Sequence, residues 1–137
     1  MKAYQTQAKL FKILMHPTRL AILDILRGEE QCVCHIEAML GLRQAHISQH
    51  LMVLRDAELV EDRREGWNIF YRVRKPEIYK VIDAMRIFNG ERLEDYLSER
   101  DIFAYQRTCT CPKCKPSAET IDFVCLDHSL NSEGAEA

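Results

Sequence analysis

Two cysteines separated by one residue are the first groups in this chain that could carry out chemistry. Cys32 and Cys34 offer soft sulfur ligands, which prefer As(III), Sb(III), Cd(II), Pb(II), Zn(II) or Cu(I) to Mg(II) or Mn(II). Oxidation or persulfidation of Cys32 with a partner thiol is an alternative use. A third interpretation is that both are small buried cysteines that bind no ligand. Residues i and i+2 of a helix point about 200° apart, so a shared ion requires a distorted helix start.

A second group of thiols lies near the C-terminus, with the spacing CxCxxC: Cys109, Cys111 and Cys114. This spacing lets several thiols face one ion. The segment could fold back and complete a site with Cys32 and Cys34. It could instead form a separate zinc knuckle with Cys125, with or without His128, or stay unliganded. In a reducing compartment, metal ligands or redox sensors explain six cysteines better than structural disulfides do.

The residues that follow the first cysteine pair predict a helix-turn-helix. One helix is expected over residues 33–40 and ends at Gly41, and a second is expected from residue 44 to about residue 57. Ile47, Leu51 and Leu54 are spaced i, i+4, i+7 and form the buried stripe of the second helix. Two helices joined by a turn of three or four residues make a DNA-reading motif.

The polar side chains of this second helix are candidate DNA contacts. Residues 41–55 contain two arginines and no acid, which favours DNA over an ordinary solvated helix face. Four side chains are suited to hydrogen bonds at base edges, namely Gln44, His46, Gln49 and His50. Arg43 and Ser48 are suited to phosphates.

A β-hairpin is predicted over residues 59–73, with its turn at Glu65 and Gly66. It would form the wing of a winged helix, where Arg63 and Arg64 could reach the DNA backbone or minor groove. We expect Trp67 to be a packing residue and not one that stacks on a base. Further helices are expected over residues 4–15, from Pro17, and from Pro76. Apolar residues on the terminal helices are expected in a dimer core: Tyr4, Phe11, Met15, Phe88 and Tyr96.

The stretch from residue 10 to residue 73 resembles the ArsR/SmtB family of winged-helix metal-responsive repressors. The resemblance is carried by residues 16–23 (HPTRLAIL), 32–36 (CVCHI), 44–51 (QAHISQHL), 54–60 (LRDAELV) and 63–66 (RREG). It implies a mainly α fold with a small β-hairpin, a winged helix-turn-helix that dimerises through its terminal helices. It also implies a homodimer that binds double-stranded operator DNA and leaves it when a metal or metalloid binds.

The chain departs from the family pattern at its thiols. Arsenic-sensing members often carry a third cysteine shortly after the pair, where this chain has Glu37, and residues 1–31 contain no cysteine. The helix after the wing lacks the histidine of the family's other common site. If Cys32 and Cys34 bind a metal, further ligands must come from elsewhere, and Cys109, Cys111 and Cys114 are the available thiols.

Composition limits the other possibilities. A chain of 137 residues with 47% apolar side chains predicts one core, with a domain over residues 1–106 and a cysteine-rich, partly disordered tail over residues 107–137. The net charge is −2, but residues 116–137 hold five of the 21 acids and no Lys or Arg, so the remainder is basic. No secretory leader or membrane span is recognised, which predicts a cytoplasmic protein. No catalytic grouping is present, so an enzyme is not expected. A zinc-stabilised protein-interaction module is the alternative from another class.

Overall fold

Five helices and three short strands make up the part of the chain that the computed structural model describes, which is residues 1–92 and Asp95. In chain order they are α1 (Lys2–Leu14), α2 (Pro17–Ile25), β1 (Gln31–Cys32), α3 (Val33–Leu40), α4 (Gln44–Asp56), β2 (Val60–Glu65), β3 (Asn68–Val73) and α5 (Ile78–Phe88). The predicted winged helix-turn-helix is confirmed. No helix among these residues is both long and apolar enough to cross a bilayer.

Local sequence signals explain where the helices begin and end. α2 starts at a proline, and the Nδ1 atom of His16 accepts a hydrogen bond from the backbone N–H of Thr18 at 3.2 Å, which satisfies one free donor of the first turn. α3 ends at Gly41, whose φ of +64° lies in the left-handed region that glycine adopts without strain. These boundaries match the predicted ones.

Helix α4 packs on the core through the predicted stripe. Ile47, Leu51 and Leu54 are fully buried, as their i, i+4, i+7 spacing requires. Its N-cap residue, Arg43, is extended and makes no side-chain capping hydrogen bond. The arginine therefore stays at the start of the helix with its guanidinium available for another contact.

The three strands form one antiparallel sheet in the order β1-β3-β2. Cys32 pairs with Phe70, and Phe70 pairs with Arg63 on the other side, so these three residues form one row across the sheet. Strand β1 was not predicted, because it is two residues long and runs directly into α3. Its presence places the first thiol in the wing sheet.

The core is built from apolar side chains of all five helices and the wing's base. By contrast, the outer faces of α1 and α5 expose large apolar residues, including Tyr4 at 70% and Phe88 at 90% of their full accessible area, together with Phe11 and Met15. Tyr96 lies outside the described residues.

One packing prediction is wrong. Trp67 is predicted to be a packing residue, but its side chain is fully exposed, at 102% of the reference area. It occupies the hairpin turn beside Gly66, beyond the last residues of the wing that reach the core. The predicted turn is displaced by one residue, since β2 continues to Glu65 and β3 resumes at Asn68.

Candidate DNA interface and thiol site

The thiol pair lies at the junction between the wing sheet and α3. Cys32 is the N-cap of α3, with extended backbone angles of φ −76° and ψ 156°, whereas Cys34 lies in the first helical turn. Their Cα atoms are 5.3 Å apart, and their side chains are joined as a disulfide. The expectation of a distorted helix is therefore wrong. The two sulfurs meet because Cys32 precedes a regular helix instead of belonging to it.

The two sulfur atoms differ in their surroundings. The Cys32 side chain is only 1% exposed, and its Sγ atom accepts a hydrogen bond from the backbone N–H of His35 at 3.2 Å. Cys32 forms a small buried cluster with Phe70, and Cys34 packs against this cluster. Cys34 is half-buried, so a reagent or ion from solvent reaches the pair from the Cys34 side.

The described residues supply only two cysteines to this site, and their sulfurs could bind an ion only after the disulfide is reduced. No group of three or more His, Cys, Asp or Glu side chains in residues 1–92 is arranged to hold a metal ion. Thiols suit a thiophilic ion in their donor chemistry, but a complete shell needs ligands from elsewhere. Cys109, Cys111 and Cys114 lie outside the described residues.

The exposed face of α4 carries most of the residues predicted to contact DNA. Gln44, His46 and Gln49 are exposed, and Ser48 is half-buried. Arg43 is also exposed at the start of the helix. The structure thus presents hydrogen-bonding side chains on one side of α4, opposite the buried stripe that fixes the helix on the core.

His50 does not share that face. It is 9% exposed, with its ring centroid 4.3 Å from that of His16 and 5.0 Å from that of His46. Its Nδ1 atom accepts a hydrogen bond from Nε of Arg19 at 3.4 Å. Burial lowers the pKa of His50, and the nearby His16, His46 and Arg19 lower it further. The prediction that His50 lies on the outer face with Gln49 is wrong, because the side chain packs between α2 and α4.

The two wing arginines are not equivalent. Arg63 forms ion pairs with Glu30 at 2.6 Å and Glu65 at 2.9 Å, and its guanidinium lies 4.8 Å from the centre of the Phe70 ring. Arg64 is exposed and has no ion pair with any residue of the described part. Arg64 is therefore the wing cation that is electrostatically uncompensated within residues 1–92.

Comparison with known proteins agrees with this geometry. Residues 16–62 match the family model described as bacterial regulatory protein, arsR family. The chain is 42% identical over 89 residues to an uncharacterized HTH-type transcriptional regulator of Methanocaldococcus jannaschii, covering 62% of this chain and all of the relative. It is 41% identical over 86 residues to the arsenic resistance transcriptional regulator ArsR1 of Pseudomonas putida, covering 62% of this chain and 66% of the relative.

A solved structure shows the same architecture. The homodimeric winged helix-turn-helix DNA-binding domain Mb0332 of Mycobacterium bovis, described as a possible ArsR-family regulator, superposes with a TM-score of 0.58 at 30% identity. The superposition covers 69% of this chain and 87% of that one.

Proposed function

The chain belongs to the ArsR family of transcriptional repressors, and from that premise we propose that a thiophilic metal or metalloid at its cysteines releases it from operator DNA. The inducer classes that the thiols favour are As(III), Cd(II), Pb(II) and Zn(II). The observation that carries the proposal is the position of Cys32, which caps α3 and belongs to the wing sheet.

The DNA side of the proposal assigns roles by exposure. Gln44, His46 and Gln49 read base edges from the open face of α4, where amides and imidazoles can make paired hydrogen bonds in the major groove. Arg43 and Ser48 hold phosphates at the start of that helix. At the wing, Arg64 supplies the stronger phosphate contact and Arg63 a weaker one, because Arg63 is already paired with two carboxylates.

His50 takes a different role in this scheme. Its buried ring fixes α4 against α2 through His16 and Arg19. It therefore positions the base-reading residues of α4 and does not contact the bases itself.

The protein acts as a homodimer in this proposal. The exposed apolar residues Tyr4, Phe11, Met15 and Phe88 lie on the first and last described helices, and burial of such a surface favours association. The related domain from M. bovis is described as homodimeric. Two copies of α4 would then read two half-sites about one helical turn of DNA apart.

Release follows from where the thiols lie. Cys32 and Cys34 would hold the inducer, with at least one further thiolate from Cys109, Cys111 or Cys114. Cys32 contacts Phe70 on β3, and Cys34 lies in the helix directly before the turn into α4. A bound ion that fixes both sulfurs thus constrains the wing and the helix-turn-helix together, the two elements that must match the DNA surface.

The proposed tail stays a distinct unit in this scheme. Residues 1–106 would fold and bind DNA, and residues 107–137 would supply ligands. An independent zinc knuckle in the tail is the competing arrangement, and it predicts a tail-bound zinc that survives Cys34→Ser.

The experiment is a titration of reduced protein on a duplex that the protein selects from a random-sequence pool. As(III) or Cd(II) should release the wild-type protein. Cys34→Ser should bind the duplex normally and resist release, whereas the matched control Cys125→Ser should respond like wild type. Release of Cys34→Ser at the wild-type metal concentration would place the sensor elsewhere, and failure to select any duplex would favour a protein-interaction module.

A thiol redox switch is the second candidate, favoured by the disulfide that joins Cys32 and Cys34. The Cys34 thiolate would attack hydrogen peroxide and break the O–O bond, leaving a sulfenic acid on Cys34 and a hydroxide ion that takes up a proton from solvent to become water. The Cys32 thiol would then displace the hydroxyl group as water and form the S–S bond. Release by peroxide or polysulfide, but not by metal in the presence of a reductant, would select this alternative.

A further inference from the structure

Trp67 is the largest side chain at the tip of the wing and the only tryptophan in the chain. Its indole is fully exposed. Large aromatic side chains usually bury most of their surface in a core or an interface, and they contribute strongly to the stability of both. An indole held entirely in solvent is therefore a candidate binding residue.

The hairpin holds this indole away from the core. Burial falls along β2 from Val60, which is buried, to the exposed residues that begin at Asp62. The turn is closed by the Glu65–Asn68 pair, and Gly66 adopts a φ of +58°, which glycine accepts readily. Trp67 follows this glycine, so it projects from the end of a two-stranded ribbon.

Charge alone gives the wing little affinity for DNA. The hairpin carries three acids and three bases over residues 60–73: Glu61, Asp62, Glu65, Arg63, Arg64 and Arg72. Arg72 is paired with Glu61, and Arg63 is paired with Glu30 and Glu65. Among the described residues this leaves Arg64 as the wing cation without an ion pair, so most of any contact between the wing tip and DNA would come from shape and apolar surface.

We propose that Trp67 inserts its indole into the minor groove beside the site read by α4, packing on sugar and base edges. The inference rests on the proposed function, because it supposes that the wing meets DNA. Apolar side chains of minor-groove-binding proteins insert in this way at base steps, where they partly unstack the bases and kink the duplex. Arg64, two strand positions before the turn, then anchors the adjacent phosphate backbone.

Such an insertion gives the wing a role in sequence preference. Minor-groove width and the ease of unstacking depend on base sequence. The indole would therefore favour flexible steps at the positions flanking the α4 half-site, although no hydrogen bond reads those bases.

The single tryptophan provides a direct test with the full chain and the selected duplex. Binding should shift the Trp67 emission to shorter wavelength or quench it, because the indole leaves water. Trp67→Ala should weaken binding by about tenfold, near 1.4 kcal/mol, with an unchanged salt slope because no charge is lost. Trp67→Phe should recover most of the affinity, and circular dichroism checks that both variants fold.

Each other result is informative. If the wild-type protein binds the duplex while its emission stays constant and Trp67→Ala binds equally well, the minor-groove contact is refuted and the proposed function survives. If the emission shifts with protein concentration when DNA is absent, the indole belongs to a contact between copies, which also refutes it. If the wild-type protein binds no duplex, both the proposed function and this inference are refuted.

Discussion

Cys32 and Phe70 pair across the β1–β3 ladder, and their side chains form a small buried cluster of their own, separate from the main core. Phe70 in turn pairs with Arg63 on β2 and lies beneath its guanidinium. Cys32 is therefore in direct contact with β3, the middle strand of the sheet. A chemical change at Cys32 would therefore act on the wing through the side chain of Phe70.

This relationship predicts the behaviour of Phe70→Leu. The smaller side chain keeps the site apolar but removes the ring between Cys32 and Arg63, so we expect a loss of about 1–3 kcal/mol in unfolding free energy. Operator affinity should be close to wild type, whereas the metal concentration needed for release should rise severalfold. Fluorescence anisotropy of a labelled duplex measures both. Tyr71→Phe, on the neighbouring position of β3, is the matched control and should leave release unchanged.

A second prediction separates base reading from phosphate contact. Gln49→Ala should reduce discrimination between the selected and random duplexes by about 1–3 kcal/mol, since it removes hydrogen bonds to a base edge. Arg64→Ala should weaken binding to both duplexes alike and lower the slope of affinity against salt by about one. Lys12→Ala, which removes a charge on α1, should change neither the discrimination between duplexes nor the salt slope. Equal losses on both duplexes from Gln49→Ala would refute its base-reading role.

The two helices of the helix-turn-helix were predictable because their signals are local. The stripe of Ile47, Leu51 and Leu54 and the glycine at the end of α3 each fix an element from a few neighbouring residues. These signals are enough to place Gln44, His46 and Gln49 on an exposed face. They also place the cysteine pair next to the helix-turn-helix.

The features that escaped prediction depend on contacts between distant residues. β1 exists because Cys32 hydrogen-bonds along β3, some 38 positions away, and no two-residue pattern reveals that pairing. His50 looks like a surface residue beside Gln49, yet it is buried by His16 and Arg19 from α2. The aromatic character of Trp67 suggested packing, but burial depends on whether the core reaches the wing tip.

The histidine cluster predicts a dependence of stability on pH. The folded-state pKa of His50 lies below its ordinary value of 6.5 because of burial first, then His16, His46 and Arg19. The unfolded chain therefore binds the proton more readily. Stability should be complete above about pH 6.5 and should fall as pH drops through that value toward the lower folded-state pKa.

Urea unfolding at about pH 5.5 and about pH 7.5 measures this difference. His50→Gln, which keeps an acceptor for Arg19 and does not titrate, should show a smaller loss at the lower pH than wild type does. His46→Gln is the control. Because His46 is exposed, this variant should preserve most of the pH dependence of stability. A His50→Gln curve that loses as much stability as wild type would contradict the assignment to this residue.

The last prediction concerns the cysteines that lie outside the described residues. As(III) commonly takes three thiolates, whereas Cd(II) and Zn(II) favour four ligands, and residues 1–92 bring together only Cys32 and Cys34. A chain ending at Arg107 should keep operator binding, because α4 and the wing are complete well before it. Its inducer affinity should fall by at least about tenfold, near 1.4 kcal/mol for one lost ligand.

Metal stoichiometry then distinguishes a shared site from a separate knuckle. A shared site binds one metal per subunit and loses it in either Cys34→Ser or Cys111→Ser, because both thiols belong to the same shell. A knuckle keeps its zinc in Cys34→Ser and loses it only with the tail. Thiolate-to-metal absorbance of each reduced variant gives the count. A truncated protein that leaves the duplex at the wild-type metal concentration would show that Cys32 and Cys34 obtain their remaining ligands without the tail.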